Sequence, residues 1–116
     1  METFALGKLT MYVSEDHRFG TDAFLLAYYA GVRPGNVVCD LCTGCGIIPL
    51  IFCKNVMPHL IYAVDIQEEA IELLKMSVEK NHLENTVQPI LTDLRELDQR
   101  VLAFETVDIV TANPPY

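Results

Sequence analysis

Residues 39–50 read CDLCTGCGIIPL, and the fold turns on how this stretch is taken. Cys39, Cys42 and Cys45 form a C-x-x-C-x-x-C run, the spacing of an iron–sulfur or zinc ligand set. Asp40, Gly44 and Gly46 occupy the same stretch and read as a nucleotide-binding turn between a strand and a helix. A metal site needs its thiolates to converge at about 2.3 Å from one ion. Cys39 lies inside the apolar run VVCDL, where the pleat sets its direction, and Cys45 sits between two glycines. Cys53 falls on the following helix and does not match cluster spacing. Small buried thiols packing around a turn are therefore the expectation, with no metal and no redox pair.

The flanks of the stretch support the turn. Asn36 to Leu41 is a uniformly apolar strand, and IIPLIFCKN after Gly46 is a helix. Pro49 is tolerable there because it falls in the first turn, where a missing N–H matters least. Leu60 to Asp65 is a second strand. Gln67 to Asn81 is a helix with Ala70, Ile71, Leu74 and Val78 on one face, acids in its first turn and Lys80 in its last. Val87 to Leu91 is a third strand and Val107 to Ala112 a fourth, with a loop and weak helix over 93–103 between them. Alternating strands and helices with strands apolar on both faces predict an α/β fold with a parallel sheet. The expected strand order is 3-2-1-4, the first half of a doubly wound, Rossmann-like domain spanning 36–116. Before it, residues 1–35 read as a short hairpin (LTMYV is strand-like) and a compact helix, TDAFLLAYYAG. Thr21 is placed to cap that helix and Gly31 to stop it.

Charge narrows the function. The chain carries 16 acids against 8 bases, a net charge of -8, and its cations are scattered. Such a surface is a poor non-specific binder of nucleic acid. The amino terminus METFALGK is not a signal peptide. The longest uncharged run, Leu41 to Cys53, is about 13 residues, short of the roughly 18–20 that span a bilayer. Four cysteines without a secretory signal fit a reducing cytoplasm.

In a nucleotide turn, Gly44 and Gly46 let the backbone approach the ligand, and the helix beyond offers free N–H groups at its positive end. An acid at the tip of strand two, about 20 residues on, then takes ribose hydroxyls, and Asp65 is so placed. Its bland alternative is to cap the helix that follows, and it can do both. Asp40 at the end of strand one would repel a pyrophosphate and suits a cofactor with a cationic group. NPPY, Asn113 to Tyr116, follows the fourth strand. The Asn side chain offers an acceptor and a donor. The two prolines lack N–H groups, leaving neighbouring carbonyls to accept from an amine. Tyr116 offers a flat stacking face.

With these motifs the chain resembles the class I S-adenosylmethionine-dependent N-methyltransferases. DLCTGCG is similar to their first motif, Asp65 to their ribose-binding acid, TDL at Thr92 to Leu94 to their adenine-binding segment, and NPPY to their amino-methylating motif. RFGTDAFLLAYYA followed by DLCTGCGIIPL resembles, more closely, the bacterial tRNA (valine) adenine-N6 methyltransferase family. The resemblance implies S-adenosylmethionine as cofactor and an adenine N6 in tRNA as methyl acceptor. It implies that Asp40, Cys42, Gly44 and Gly46 hold the methionine end. Asp65, with Ile66 beside it, would bind the ribose, and Asp93 with Leu94 the adenine. The segment Arg18 to Asp22, including Thr21 and Asp22, would close over the cofactor. Asn113, Pro114, Pro115 and Tyr116 would form the catalytic set, with Asn113 also facing the cofactor. Cys42 stands where many members have glycine. Members continue with about three more strands, so an amino-terminal portion of a longer enzyme is expected, with strand four an exposed edge. A second copy would then cover that edge as a homodimer. The alternatives are a glutamine-N5 methyltransferase acting on a peptide-release factor, which shares NPPY, and a non-catalytic cofactor-binding or dimerisation module.

Overall fold

The computed structural model describes residues 1–96 and 106–114. The chain opens with an antiparallel hairpin of β1 (Glu2–Leu6) and β2 (Leu9–Val13). Its connection is two residues long, and Gly7 takes the positive φ, +60°, that so tight a link demands. Helix α1 (Thr21–Tyr29) follows. Gly20 occupies the cap position and Thr21 is the first helical residue, so the hydroxyl expected to cap the helix does not. Gly31 just beyond has φ +70°, a left-handed stop.

Then come β3 (Val37–Leu41), α2 (Ile47–Asn55), β4 (Leu60–Asp65), α3 (Glu68–Lys80), β5 (Val87–Leu91), a 3-10 turn over Leu94–Glu96, and β6 (Ile109–Ala112). The four later strands form a parallel sheet in the order β5-β4-β3-β6, which is the expected 3-2-1-4. In the register, Asp40 lies beside Ala63 on one flank and Thr111 on the other. Strand β6 starts later than its apolar pattern suggests. Asp108, just before it, donates its N–H to Val37 O at 2.8 Å, and its carboxylate accepts the Val37 N–H at 2.8 Å.

The central strands β3 and β4 are buried on both faces, whereas β5 and β6 at the sheet's flanks leave Gln88, Leu91, Val110 and Ala112 exposed. Val38, Ile61, Ala63 and Val87 join the main core with α2, α3 and the hairpin, while Val37, Cys39, Tyr62 and Val64 form a smaller cluster on the other side. The hairpin is held to α3 by polar bonds as well. Ser77 Oγ accepts the Tyr12 N–H at 2.9 Å, and Asn81 Oδ1 accepts the Thr10 N–H at 2.9 Å while its Nδ2 donates to Thr10 O. Buried backbone groups of β2 that lack a strand partner are thereby satisfied. Among the described residues no helix is long and apolar enough to cross a membrane.

Candidate functional site

The carboxyl ends of β3, β4 and β6 open onto one cavity of about 690 Å³. Its floor is the turn from Cys42 to Cys45. A chain leaving a buried strand must reverse quickly to start α2, and it does so with three left-handed residues: Cys42 at φ +56°, Gly44 at +60° and Gly46 at +93°. A side chain at Gly44 would meet nothing within 4 Å, so this glycine presents bare backbone to open space. Gly46 differs. A Cβ there would lie 2.3 Å from Leu74 Cδ1, so both the left-handed backbone and the packing of α3 favour glycine. Gly46 does not line the cavity, and Cys42, Thr43, Gly44 and Cys45 do.

Asp65 stands at the wall, at the tip of β4. Its Oδ2 accepts the Gly44 N–H at 2.9 Å and its Oδ1 accepts the Gln67 N–H at 2.8 Å. It therefore braces the turn and the entry to α3 together. A carboxylate has about four acceptor sites, so both oxygens retain capacity for a ligand hydroxyl. Ile66, 63% exposed, lies beside it on the wall.

Asp93 and Leu94 reach the cavity from the segment after β5. Arg95 holds the Asp93 carboxylate, with Nη2 at 2.6 Å from Oδ2 and Nε at 3.1 Å from each oxygen. These bonds keep Asp93 ionised down to a pKa of about 2. Across the opening run Asp16 to Gly20 and Asp22. Arg18 pairs with Glu2 at 2.7 Å, and His17 approaches Glu69 of α3 at 3.7 Å, which also accepts from Ser14 Oγ. Asn113 and Pro114 complete the rim from the end of β6. Pro115 and Tyr116 lie outside the described residues.

Asp40 and Thr21, also expected to hold the cofactor, are not on the wall. Asp40 is 1% exposed and lies beneath the turn, where Thr43 Oγ1 donates to its Oδ2 and Thr111 Oγ1 to its Oδ1, each at 2.7 Å. Burial raises its pKa to about 6 against the lowering effect of the two hydroxyls, Thr111 first. Thr43, Thr111, His17, Gln67 and Arg95 are site or support residues that sequence reasoning missed. Only Thr43 had a local signal, three residues from Asp40 within the turn itself.

The cysteines do not converge on an ion. Cys39, Cys45 and Cys53 are buried and Cys42 is half-buried, all as free thiols. Burial pushes Cys39 and Cys45 up to about 11 and Cys53 to about 12, so they stay protonated and pack as small apolar groups. Among the described residues no group of three or more His, Cys, Asp or Glu is arranged to hold a metal. The cavity wall carries Asp16, Asp22, Asp65 and Asp93 against Arg18 and Arg95, and both arginines are paired. Such a wall favours a ligand that brings positive charge.

Residues 27–112 match the family described as the TRM5/TYW2 methyltransferase domain. The tRNA (guanine(37)-N(1))-methyltransferase Trm5b of Methanocaldococcus jannaschii is 48% identical over 67 residues, 58% of this chain and 19% of that protein. The tRNA1(Val) (adenine(37)-N6)-methyltransferase of Histophilus somni is 30% identical over 100 residues, 85% of this chain and 42% of that protein. A release factor glutamine methyltransferase of Clostridium acetobutylicum is 37% identical over 79 residues, 68% of this chain and 27% of that protein. The chain thus spans well under half the length of each of these relatives. Among solved structures, M. jannaschii Trm5 in complex with adenosine superposes with a TM-score of 0.67 at 33% identity, covering 83% of this chain and 30% of that one. M. jannaschii TYW2 in complex with AdoMet shares the fold, with a TM-score of 0.68 at 22% identity over 82% of this chain and 44% of that one.

Proposed function

The chain belongs to the TRM5/TYW2 methyltransferase domain family, and on that premise we propose that it binds S-adenosylmethionine and serves methyl transfer to an exocyclic amino nitrogen, adenine N6 of a tRNA foremost. The observation that carries this reading is the single cavity in which the Gly44 turn, Asp65 and Asp93 face Asn113 and Pro114. Cofactor-holding chemistry and amine-holding chemistry meet there across one space. The bare backbone at Gly44, the spare acceptor capacity of Asp65 and the acidic wall fit a nucleoside that carries a cation.

When bound, the cofactor supplies a sulfonium methyl group as electrophile. The chain's own residues bind and orient. The turn from Cys42 to Cys45 seats the methionine end, with Asp40 supporting it from below and Gly46 holding the start of α2. Asp65 accepts the ribose hydroxyls beside Ile66. Asp93, once released by Arg95, accepts the adenine amino group next to Leu94. Residues 18–22, with Thr21 and Asp22, cover the opening. Asn113 accepts a hydrogen bond from the target amine through its side-chain oxygen, and the Pro114–Pro115 segment, having no N–H, leaves carbonyls to do the same. Tyr116 stacks on the target. Most of the rate enhancement in such a site comes from alignment. On this reading the protein works in the bacterial cytoplasm on tRNA.

A glutamine amide is also a planar amino acceptor, and the likeness to a release factor glutamine methyltransferase together with the acidic surface favours it as the second reading. Guanine N1 is a ring nitrogen, and the family match ends at Ala112, before the amine-holding Asn113. The test is transfer of label from S-adenosylmethionine to undermodified tRNAs with adenine or guanine at position 37 and to release factor. Label on adenine N6 alone supports the first reading. Label on glutamine supports the second, and label on guanine sinks both.

A further inference from the structure

Among the described residues Asp40 is the one buried carboxylate, and it does not itself line the cavity. Its two oxygens each take one hydroxyl: Thr43 from the turn and Thr111 from β6, both at 2.7 Å. The two partners belong to opposite halves of the cavity. Thr43 lines it on the turn side. Thr111 lies on β6 two residues before Asn113, and the β3–β6 ladder ends one residue before Asn113, at the Leu41–Ala112 pair. Among the described residues the sheet pairing stops at that pair, so Asn113 stands just past the end of the ladder.

We infer that Asp40 is a positioning residue, a buried strut through which a ligand seated on the Cys42–Cys45 turn sets the position of Asn113. The inference rests on the proposed reading of the cavity. Its physical basis is that a carboxylate 1% exposed cannot lose either hydroxyl without leaving a buried charge half-solvated. If the turn shifts when loaded, Thr43 shifts, and Asp40 and Thr111 must follow to keep both bonds. The two ends of the site are thus coupled through one side chain, and coupling of this kind is reciprocal. A carboxylate that merely satisfied two threonines would transmit nothing.

The test uses the 116-residue chain with S-adenosylhomocysteine as the probe, measuring affinity by calorimetry and hydrogen exchange at the Ala112 and Asn113 amides. In the unaltered chain the probe is expected to slow exchange at these amides by about fivefold or more, the lower end of ordinary coupling. Thr111→Val keeps the shape and deletes the donor. It should bind the probe within about threefold of the unaltered chain but lose the slowing, and Thr111→Ser should restore it. Thr111→Ala makes the same test, in case Thr111→Val does not fold. Slowing that survives in the folded variant lacking the Thr111 hydroxyl overturns the inference, and so does binding to the unaltered chain with no slowing. No binding to the unaltered chain overturns the cofactor reading and, with it, the inference.

Discussion

Asp65 accepts the Gly44 N–H through Oδ2 at 2.9 Å, across 21 residues of chain. The bond joins the tip of β4 to the turn after β3, so the acid that faces the cavity also shapes its floor. Asp65→Ala should therefore lose on two counts. Stability should fall by about 1–3 kcal/mol, from the part-buried Gly44 N–H left without its charged acceptor. Affinity for S-adenosylhomocysteine should fall at least about tenfold, equivalent to 1.4 kcal/mol. Urea unfolding and calorimetry read the two separately. A variant that binds as well as the unaltered chain would remove Asp65 from the ligand's contacts.

Gly46 is constrained by its neighbour in α3. Gly46→Ala should cost about 2–3 kcal/mol, combining a left-handed backbone with overlap on Leu74. Leu74→Ala alone should cost about 2–5 kcal/mol as a cavity. In the double variant the new methyl group has room, so the combined cost should fall short of the sum by about 1 kcal/mol. Simple additivity in chemical denaturation would show that backbone strain alone makes Gly46 necessary.

Asp40 gives stability a pH dependence of a defined sign. Its folded pKa, about 6, lies above its ordinary 3.8. The folded state thus binds a proton more readily than the unfolded one. The cost of the buried charge is fully present above pH 6 and is removed as pH falls from about 6 to about 4, an effect on the order of 3 kcal/mol. Asp93 behaves oppositely, since a pKa held near 2 supports folding above its ordinary value and loses that support only as pH falls below about 4. Asp40→Asn should lack the first effect. Its stability relative to the unaltered chain, from urea unfolding, should fall by about 3 kcal/mol between pH 7 and pH 4. A difference independent of pH would contradict this.

Cys42 is the accessible thiol. The other three are buried and held far into the protonated range. Desolvation, then Asp65 and Asp40, also raises Cys42, so alkylation of the native protein should be slow, confined to one thiol, and slower still with S-adenosylhomocysteine present. Mass spectrometry of the alkylated protein checks this. Cys42→Gly should gain up to about 1 kcal/mol by relieving the positive φ of a residue with a Cβ. Rapid labelling at Cys45 or Cys53 would mean that the core around α2 opens readily.

The sheet and helix α2 were legible because their signals are local. The apolar run at Val37–Leu41, the glycines after it and the helix Ile47–Asn55 follow one another within a single stretch. The place of Asp65 at the tip of β4, beside that turn, was legible through its spacing. Contacts between distant residues left no such trace. The bonds from Tyr12 to Ser77 and from Thr111 to Asp40 join positions 65 and 71 residues apart. Nothing in SVEKN or in VTANPPY says which backbone or carboxylate each side chain meets. The sequence reading placed Asp40 against the ligand for the same reason: an acid after an apolar strand reads alike whether it faces a cavity or two threonine hydroxyls.

The hairpin's attachment to α3 bears on how anything enters the cavity. The segment from Ser14 to Gly20 leaves β2, which Ser77 and Asn81 grip, and runs into α1, which packs on α2. Midway it is held again through His17 and Ser14 to Glu69. A span moored at both abutments and propped between them works as a bridge rather than a hinged door. A cofactor taken up as proposed would lie beneath that span, between it and the Cys42–Cys45 turn.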